Sequence, residues 1–374
     1  MSRSNGTTAI GLDLCENGAK LVQLERRGNG YATSAVASFE LPQQCETLEG
    51  DYQAALAHQL QQARASGRFR GRRAVATLPP NVVDTRTLTL PGQNAEMQKV
   101  LRWEAESYLS YDIAEAVIDF VVLGEVKAGE ERRIEVLVAS ARRDSVERLL
   151  RAAKQGGLDV EAVEIVPTAL CRLLCRRPSP DGTPHAQAVV DVGRTTTTAV
   201  VVNAGELRLS RQILQGGERL TRLIAKGLEM GHDDAERLKQ EHGLSLEAPR
   251  PGAAQDPDGA EAPQQVSSPG QTIVITRERI AAIIRDLVRP AADQFADEIQ
   301  KLLRYFAMQS KGESVQKLVL TGGGSLMNGL DLFLQQRLGV NVEVVRSVSG
   351  FLGEPASPND PPAFAVAAGL ALRS

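Results

Sequence analysis

The chain has 374 residues, with 43 Lys and Arg against 46 Asp and Glu, a formal net charge of −3. At about 150 residues per domain this length fits two or three domains. A composition that is 42% apolar and 24% charged is that of a globular chain, which excludes collagen-like, coiled-coil and mostly disordered classes. The charge balance leaves no electrostatic footprint for nucleic acid, and no apolar run approaches the roughly 20 residues of a membrane-spanning helix.

Residues 1–8 are polar and hold no signal-peptide core. Ala9 to Leu24 then reads as strand, polar turn, strand, and residues 31–41 as a third strand after a turn at Gly28–Gly30. Helical spacing covers 51–65, and a buried-strand run at 74–78 ends at Pro79-Pro80. Residues 82–166 form an expected α+β unit, with strands at 83–90, 117–123, 134–141 and 160–166 and helices after Pro91-Gly92 and over 144–155. In the first of these helices Trp103 is expected to pack. A short helix after Pro167 and a connector at 178–184 lead to a second strand–turn–strand over 188–202.

This second hairpin repeats the first. In each an apolar strand ends in Asp (Asp13, Asp191), one apolar residue follows, and a polar turn comes next. Two copies about half a chain apart predict a duplicated, two-lobed α/β fold. The expected division is 1–81 with 167–185 as first lobe, 82–166 as an inserted subdomain, and 186–374 as second lobe. Residues 246–272 are rich in Pro, Gly and Ala and read as a disordered surface loop. A long helix over 276–309 is expected to break or kink at Pro290. A strand at 317–321 runs into Gly322-Gly323-Gly324, followed by a helix over 326–338, a strand over 340–345 and a last helix after Pro361-Pro362.

The chemistry-bearing groups sit at strand ends and glycine turns. A strand-end Asp can hold Mg²⁺ through water, because Mg²⁺ keeps much of its hydration and rides on one or two carboxylates plus phosphate oxygens. The Gly322–Gly324 turn allows backbone amides to approach a phosphate. Gly216-Gly217-Glu218 opens a helix with glycines for close approach and a carboxylate that can accept from ribose hydroxyls. The cysteines (Cys15, Cys45, Cys171, Cys175) read as buried thiols, the four scattered histidines as surface residues, and Arg68 to Arg73 as a solvated turn.

Four elements in this order resemble the actin, sugar-kinase and heat-shock ATPase superfamily: the Asp13 hairpin, Asp191-x-Gly193 with its threonines, Gly-Gly-Glu, and Gly-Gly-Gly. With Trp103-Glu-Ala-Glu-Ser-Tyr-Leu-Ser-Tyr111, Asp119-Phe-Val-Val-Leu123, Gln215-Gly-Gly-Glu-Arg-Leu-Thr221 and Ala363-Phe-Ala-Val-Ala-Ala-Gly-Leu-Ala371, the chain is similar to the PilM family of type IV pilus assembly. FtsA resembles PilM in its inserted subdomain but ends in a membrane-targeting amphipathic helix, whereas this sequence closes at Arg373-Ser374 after its last core helix. The resemblance implies an actin-like fold that binds ATP and Mg²⁺ between its lobes. Asp13 and Lys20 would serve the first phosphate hairpin, and Asp191, Gly193, Thr195 and Thr196 the second. Gly216, Gly217 and Glu218 would face ribose and adenine, and Gly322, Gly323 and Gly324 the adenosine, with Asp13 and Asp191 on Mg²⁺. It further implies a cytoplasmic adaptor, peripheral at the inner membrane only through partners. Those partners are the N-terminal tail of a PilN-like membrane protein, in a groove beside the subdomain, other pilus inner-membrane assembly components, and self-association. Cys15 and Glu16 stand where the family commonly has a glycine and a hydroxyl residue, which predicts little or no ATP hydrolysis. Gly18 is expected to carry the tight turn in compensation. Alternative readings are an FtsA-like filament-forming ATPase, an adaptor of a related type II secretion system, and a small-molecule kinase, for which no general-base motif is present.

Overall fold

A computed structural model describes residues 6–41, 51–91, 97–128, 131–175, 185–245, 265–268, 271–274, 277–310 and 312–373. In chain order the first half holds β1 (Ile10–Cys15), β2 (Gly18–Arg27), β3 (Gly30–Glu40), α1 (Asp51–Ala65) and β4 (Arg73–Thr77). Then come β5 (Val83–Pro91), α2 (Met97–Glu106), β6 (Ala116–Ala128), β7 (Glu131–Arg142), α3 (Arg143–Gln155), β8 (Asp159–Glu164) and α4 (Val166–Leu174). The second half holds β9 (Gln187–Val192), β10 (Thr197–Asn203), β11 (Glu206–Ile213), α5 (Gly217–Gly227), α6 (His232–Glu241), β12 (Gln265–Ser268), β13 (Gln271–Val274) and α7 (Arg277–Gln309). It closes with β14 (Lys317–Thr321), α8 (Leu330–Leu338), β15 (Asn341–Val344), α9 (Val348–Phe351) and α10 (Ala365–Ala371).

The duplication is explicit in the sheets. One runs β3-β2-β1-β4-β8 and the other β11-β10-β9-β14-β15, each with two antiparallel pairings followed by two parallel ones. Parallel central strands are buried on both faces and read as continuous apolar runs, as β1 and β9 do. Strand alternation sends Ile10, Leu12 and Leu14 to an outer core with α1 and α3, and Ala188 and Val190 to an outer core with α5, α7 and α8. The inner faces of both sheets contribute Val22, Val75, Val189, Val200 and Val319 to one shared core, whose middle layer is α4 and α10.

Glycines set the spacing of that layer. A Cβ on Gly11 would stand 1.8 Å from the Ala367 carbonyl oxygen, and one on Gly369 2.1 Å from that of Ala169. The small-residue run of α10 therefore lies almost on the backbone of β1 and α4. Arg172 donates to the Gly369 carbonyl at 2.8 Å and to Glu164 at 2.8 and 2.9 Å, tying α4 to both.

Several boundaries differ from the sequence reading. The inserted sheet is β5-β7-β6, covered by α2 through Met97 and Leu101. Residues 143–164, expected within that unit, belong instead to the first sheet: β8 pairs with β4, and α3 packs beside α1. Likewise α10, expected in the second lobe, packs on β1, β2 and α4. Trp103 is 71% exposed, since Leu101 and Ala105 define the buried stripe of α2 and Trp103 lies about half a turn away. The long helix α7 runs through Pro290 as one element. The expected helix over 326–338 is a 3₁₀ turn (Gly323–Leu326) followed by α8. Within the expected loop 246–272, β12 pairs with β13, and the remainder up to 270 lies outside the described residues. Cys45 and the 178–184 connector lie outside them too. His242 is buried, and Cys175 is exposed rather than buried.

The inserted unit also touches the second half. Arg208 donates to the Leu123 carbonyl at 3.0 Å, and Tyr305 and Gln309 to the buried Glu135 carboxylate at 3.1 and 2.9 Å; Gln212 donates at 3.2 Å to the Pro80 carbonyl, in the turn just before the unit.

Replacing Gly11 by Ala forces α10 off β1. The expected outcome is a loss of roughly 2–3 kcal/mol, read as a lowered midpoint in denaturant unfolding, with secondary structure by circular dichroism retained.

Candidate functional site: the cleft between the two hairpins

The alternation that buries Val22, Val75, Val189 and Val319 on the inner faces places Lys20, Thr77, Asp191 and Thr321 on those same faces, two residues before Val22 on the antiparallel β2 and two residues after the others. Asp13 follows Gly11 on the same rule. Asp13, Lys20 and Asp191 emerge past the ends of α4 and α10 into a cleft of about 420 Å³, while Thr77 and Thr321 stay buried beneath it. Asp13, Lys20, Asp191, Gly193, Thr195, Thr196, Gly217, Glu218, Gly323 and Gly324 all line it. Glu16, Arg194, His232, Glu236 and Lys239 join them.

Gly216 and Gly322 do not line this cleft. Their role is steric. A Cβ on Gly216 would meet the Arg194 carbonyl oxygen at 2.3 Å, and one on Gly322, at φ +85°, would meet Asp191 Oδ1 at 2.5 Å. Gly18 is also used differently from the expectation. Its missing Cβ admits the Phe39 carbonyl oxygen at 2.4 Å, so it serves the β2–β3 contact, while Glu16 and Asn17 make the turn between Cys15 and Gly18.

The second turn is closed by Gly193 N–H donating to the Thr196 carbonyl at 3.0 Å. The first amides of α5 dock on it: Gly217 donates to the Gly193 carbonyl at 3.0 Å and Glu218 to that of Arg194 at 2.8 Å. The Gly-Gly-Glu helix and the β9–β10 hairpin therefore move as one piece.

Charge is concentrated at the floor. Lys20 Nζ lies 3.9 Å from Asp13 Oδ2, and the Thr77 hydroxyl donates to Asp13 Oδ1 at 3.2 Å. Burial pushes the Asp13 carboxyl above its ordinary range against the pull of Lys20 and Thr77. Asp191 is pushed up to about 7, by burial first and then by the Asp13 charge, with Lys20 opposing. Burial works against the Lys20 ammonium, yet Asp13, Cys15 and Asp191 together hold it above its usual range. Two carboxylates thus share one ammonium, a site short of positive charge. Among the described residues no group of three or more His, Cys, Asp or Glu side chains could cage a metal ion. The donor set fits a hydrated divalent cation that brings phosphate oxygens with it.

The upper wall is held by α6. Lys239, nearly fully buried, donates to the Gly217 carbonyl at 3.2 Å, the Thr221 hydroxyl at 2.8 Å and Glu236 at 2.6 Å. Burial raises the Glu236 carboxyl, but Lys239 and Thr221 outweigh it and leave it below the usual range. Sequence reasoning missed this pair, although a signal exists: Lys239 sits four residues after Ala235 on the buried stripe of α6, where periodicity asks for an apolar residue. Beside it, Glu218 is also pushed up by burial and brought lower by His232, Arg222 and Arg194. A second, largely apolar pocket of about 30 Å³ shares Gly217, Lys239 and Gly324 with the cleft and is lined by Leu220, Phe295 and Met327.

A family model described as type IV pilus assembly protein PilM matches residues 11–249. The chain belongs to the PilM family. A chain of the solved PilM–PilN type IV pilus biogenesis complex is 27% identical to it, with a TM-score of 0.72, over 100% of this chain and 99% of that one. A model of the cell division protein FtsA matches residues 188–369. FtsA of Rhizobium meliloti (strain 1021) is 28% identical over 306 residues, 78% of this chain and 65% of the relative. The chain spans between about half and two thirds of the length of such curated relatives. MreB5 of Spiroplasma citri, solved bound to AMPPNP, shares the fold at a TM-score of 0.51 and 13% identity, over 98% of this chain and 95% of that one. The architecture is thus the two-lobed actin-like fold, with the inserted subdomain that PilM-family membership leads one to expect.

The shift on Asp191 has a thermodynamic consequence. Its native pKa lies above the ordinary 3.8, so the fold favours the protonated form. Ionisation costs stability progressively as pH rises from that ordinary value toward about 7, and the cost levels off above. In ligand-free, metal-free protein, Asp191→Asn is expected to raise the melting temperature more near pH 8 than near pH 5, read by differential scanning fluorimetry.

Proposed function

We propose that this chain is an actin-like adaptor of type IV pilus assembly that binds ATP with Mg²⁺ in the cleft and holds the N-terminal tail of a PilN-like membrane protein. The observation that carries the nucleotide reading is the trio Asp13, Lys20 and Asp191, in which two carboxylates face one ammonium between two hairpin turns. Asp13 and Asp191 would orient Mg²⁺ through water. Lys20 and the Gly193–Thr196 turn would take phosphate oxygens. Glu218, Glu236 and Lys239 would stand at the ribose, with Gly323 and Gly324 beside the adenosine. Mg²⁺, when bound, supplies the positive charge that the two carboxylates lack. Glu16 lines the same cleft and adds negative charge near the phosphates, which supports a nucleotide that clamps the lobes with little or no turnover.

For the partner, the inserted unit offers a groove of about 630 Å³. It is lined by Val121–Gly124 of the edge strand β6, by Thr168, Cys171, Arg172 and Cys175 of α4, and by residues 205–208. A groove beside an edge strand suits an extended peptide. The PilM–PilN complex, similar along almost the whole chain, supports a PilN-type occupant. Among the described residues no helix is long and apolar enough to cross a membrane. A membrane partner would hold the adaptor at the cytoplasmic face of the inner membrane.

Calorimetric titration with Mg²⁺ and ATP tests the first part: saturable binding is expected, reduced about tenfold or more by Asp191→Ala, with phosphate release near background. Heat-silent titrations with no protection against thermal unfolding would reject it. For the partner, fluorescence anisotropy of a labelled PilN-type tail peptide is expected to saturate, and Val122→Glu, at a half-exposed groove position, is expected to weaken it about tenfold. Equal peptide affinities would place the partner on another surface.

A further inference from the structure

Glu218 carries more positive charge than one carboxylate needs. Arg222, four residues on along α5, lies 2.9 Å from Oε1. His232 Nε2 lies 3.2 Å from Oε1 and 3.0 Å from Oε2, and Arg194 Nε lies 3.3 Å from Oε2. Both oxygens of a side chain that is only 8% exposed are therefore occupied. Three donors thus face the roughly four lone-pair sites of the carboxylate, and the Arg194 guanidinium stands over Oε2 from the cleft.

The partners of Glu218 are not equivalent. Arg222 and His232 come from α5 and α6, the elements that carry and cover Glu218. Arg194 comes from the opposite side, from the tip of the Gly193–Thr196 turn. Its side chain is 45% exposed, and it lines the cleft together with Gly193, Thr195 and Thr196. Guanidinium is the side-chain group best matched to phosphate, through paired N–H donors. Its main chain is fixed, because the Arg194 carbonyl accepts the Glu218 amide at 2.8 Å. The side chain can thus exchange partners without disturbing the turn.

We propose that Arg194 is an exchangeable cation: without ligand it occupies Glu218, and a nucleoside polyphosphate draws it onto its phosphates, which releases Glu218 Oε2 to accept a ribose hydroxyl. This rests on the nucleotide reading above. It makes phosphate and ribose recognition interdependent. A nucleoside alone must compete with Arg194 for Glu218, whereas a nucleotide removes the competitor with its own charge. The cleft then discriminates nucleotide from nucleoside by more than direct phosphate contacts provide.

The test compares Arg194→Ala and Arg194→Lys with the unaltered chain, using Mg·ATP by calorimetry and adenosine by ligand-observed NMR. Arg194→Ala is expected to weaken Mg·ATP about tenfold or more, while adenosine binds more tightly than to the unaltered chain. Arg194→Lys retains part of the ATP affinity, because it keeps the charge without the paired donors. The melting temperature of each ligand-free variant reports whether the turn is intact. Unchanged ATP affinity in Arg194→Ala overturns the proposal and leaves the nucleotide reading standing. A parallel weakening of ATP and adenosine overturns it as well, since that marks a purely structural role. Absence of ATP binding by the unaltered chain overturns the nucleotide reading itself.

Discussion

Two sheets share one layer of helices, and the closeness of that layer governs what stands above it. The backbone of α10 approaches β1 at Gly11 and α4 at Gly369, closely enough that a methyl group at either position has no room. That spacing fixes how far the first hairpin stands from the second. The shared core beneath is made of Val, Leu and Ala from both inner faces, and its interdigitation leaves little freedom for one sheet to slide on the other. Whatever the cleft binds is framed by apolar packing several residues below it.

The polar groups in the cleft cost stability in the ligand-free state. Asp13 and Asp191 are both held above their ordinary range, chiefly by burial. A group kept in an unfavourable ionisation state by the fold marks a functional site better than a comfortable one does. Lys239 shows the opposite arrangement. It is buried too, but with three partners it locks α6 to the start of α5. The cleft therefore combines a wall that is electrostatically satisfied with a floor that is not, and the floor is where an added cation has the most to gain.

Much of this was legible in the sequence because it depends on period and repetition. Strand alternation puts Asp13 on the face of Gly11, and Asp191 on the face of Val189, without any tertiary information. The repeated strand–turn–strand announced the duplication, which the matching sheet orders display. What stayed hidden depends on long-range approach. That β8 returns to β4 rather than closing the inserted unit is a parallel pairing across an intervening sheet, and no local pattern encodes it. Gly216, Gly322 and Gly18 were recognisable as special, yet their neighbours, the Arg194 carbonyl, Asp191 and Phe39, come from other strands and turns. Trp103 was misplaced because its aromatic character outweighed its position, half a turn from the Leu101–Ala105 stripe.

The bonds from Arg208, Tyr305 and Gln309 to Leu123 and Glu135 make the inserted unit a strut fastened to the second half, although its chain belongs to the first. A rotation that opens or closes the cleft must carry this strut or break those bonds. The groove beside β6 contains the Arg208–Leu123 contact itself. Lobe angle and groove shape are thus one mechanical variable. An occupant that prefers one setting biases the other site, and linkage requires the bias to be equal in both directions. The strut turns an insertion at the edge of the fold into a transmission between its two openings.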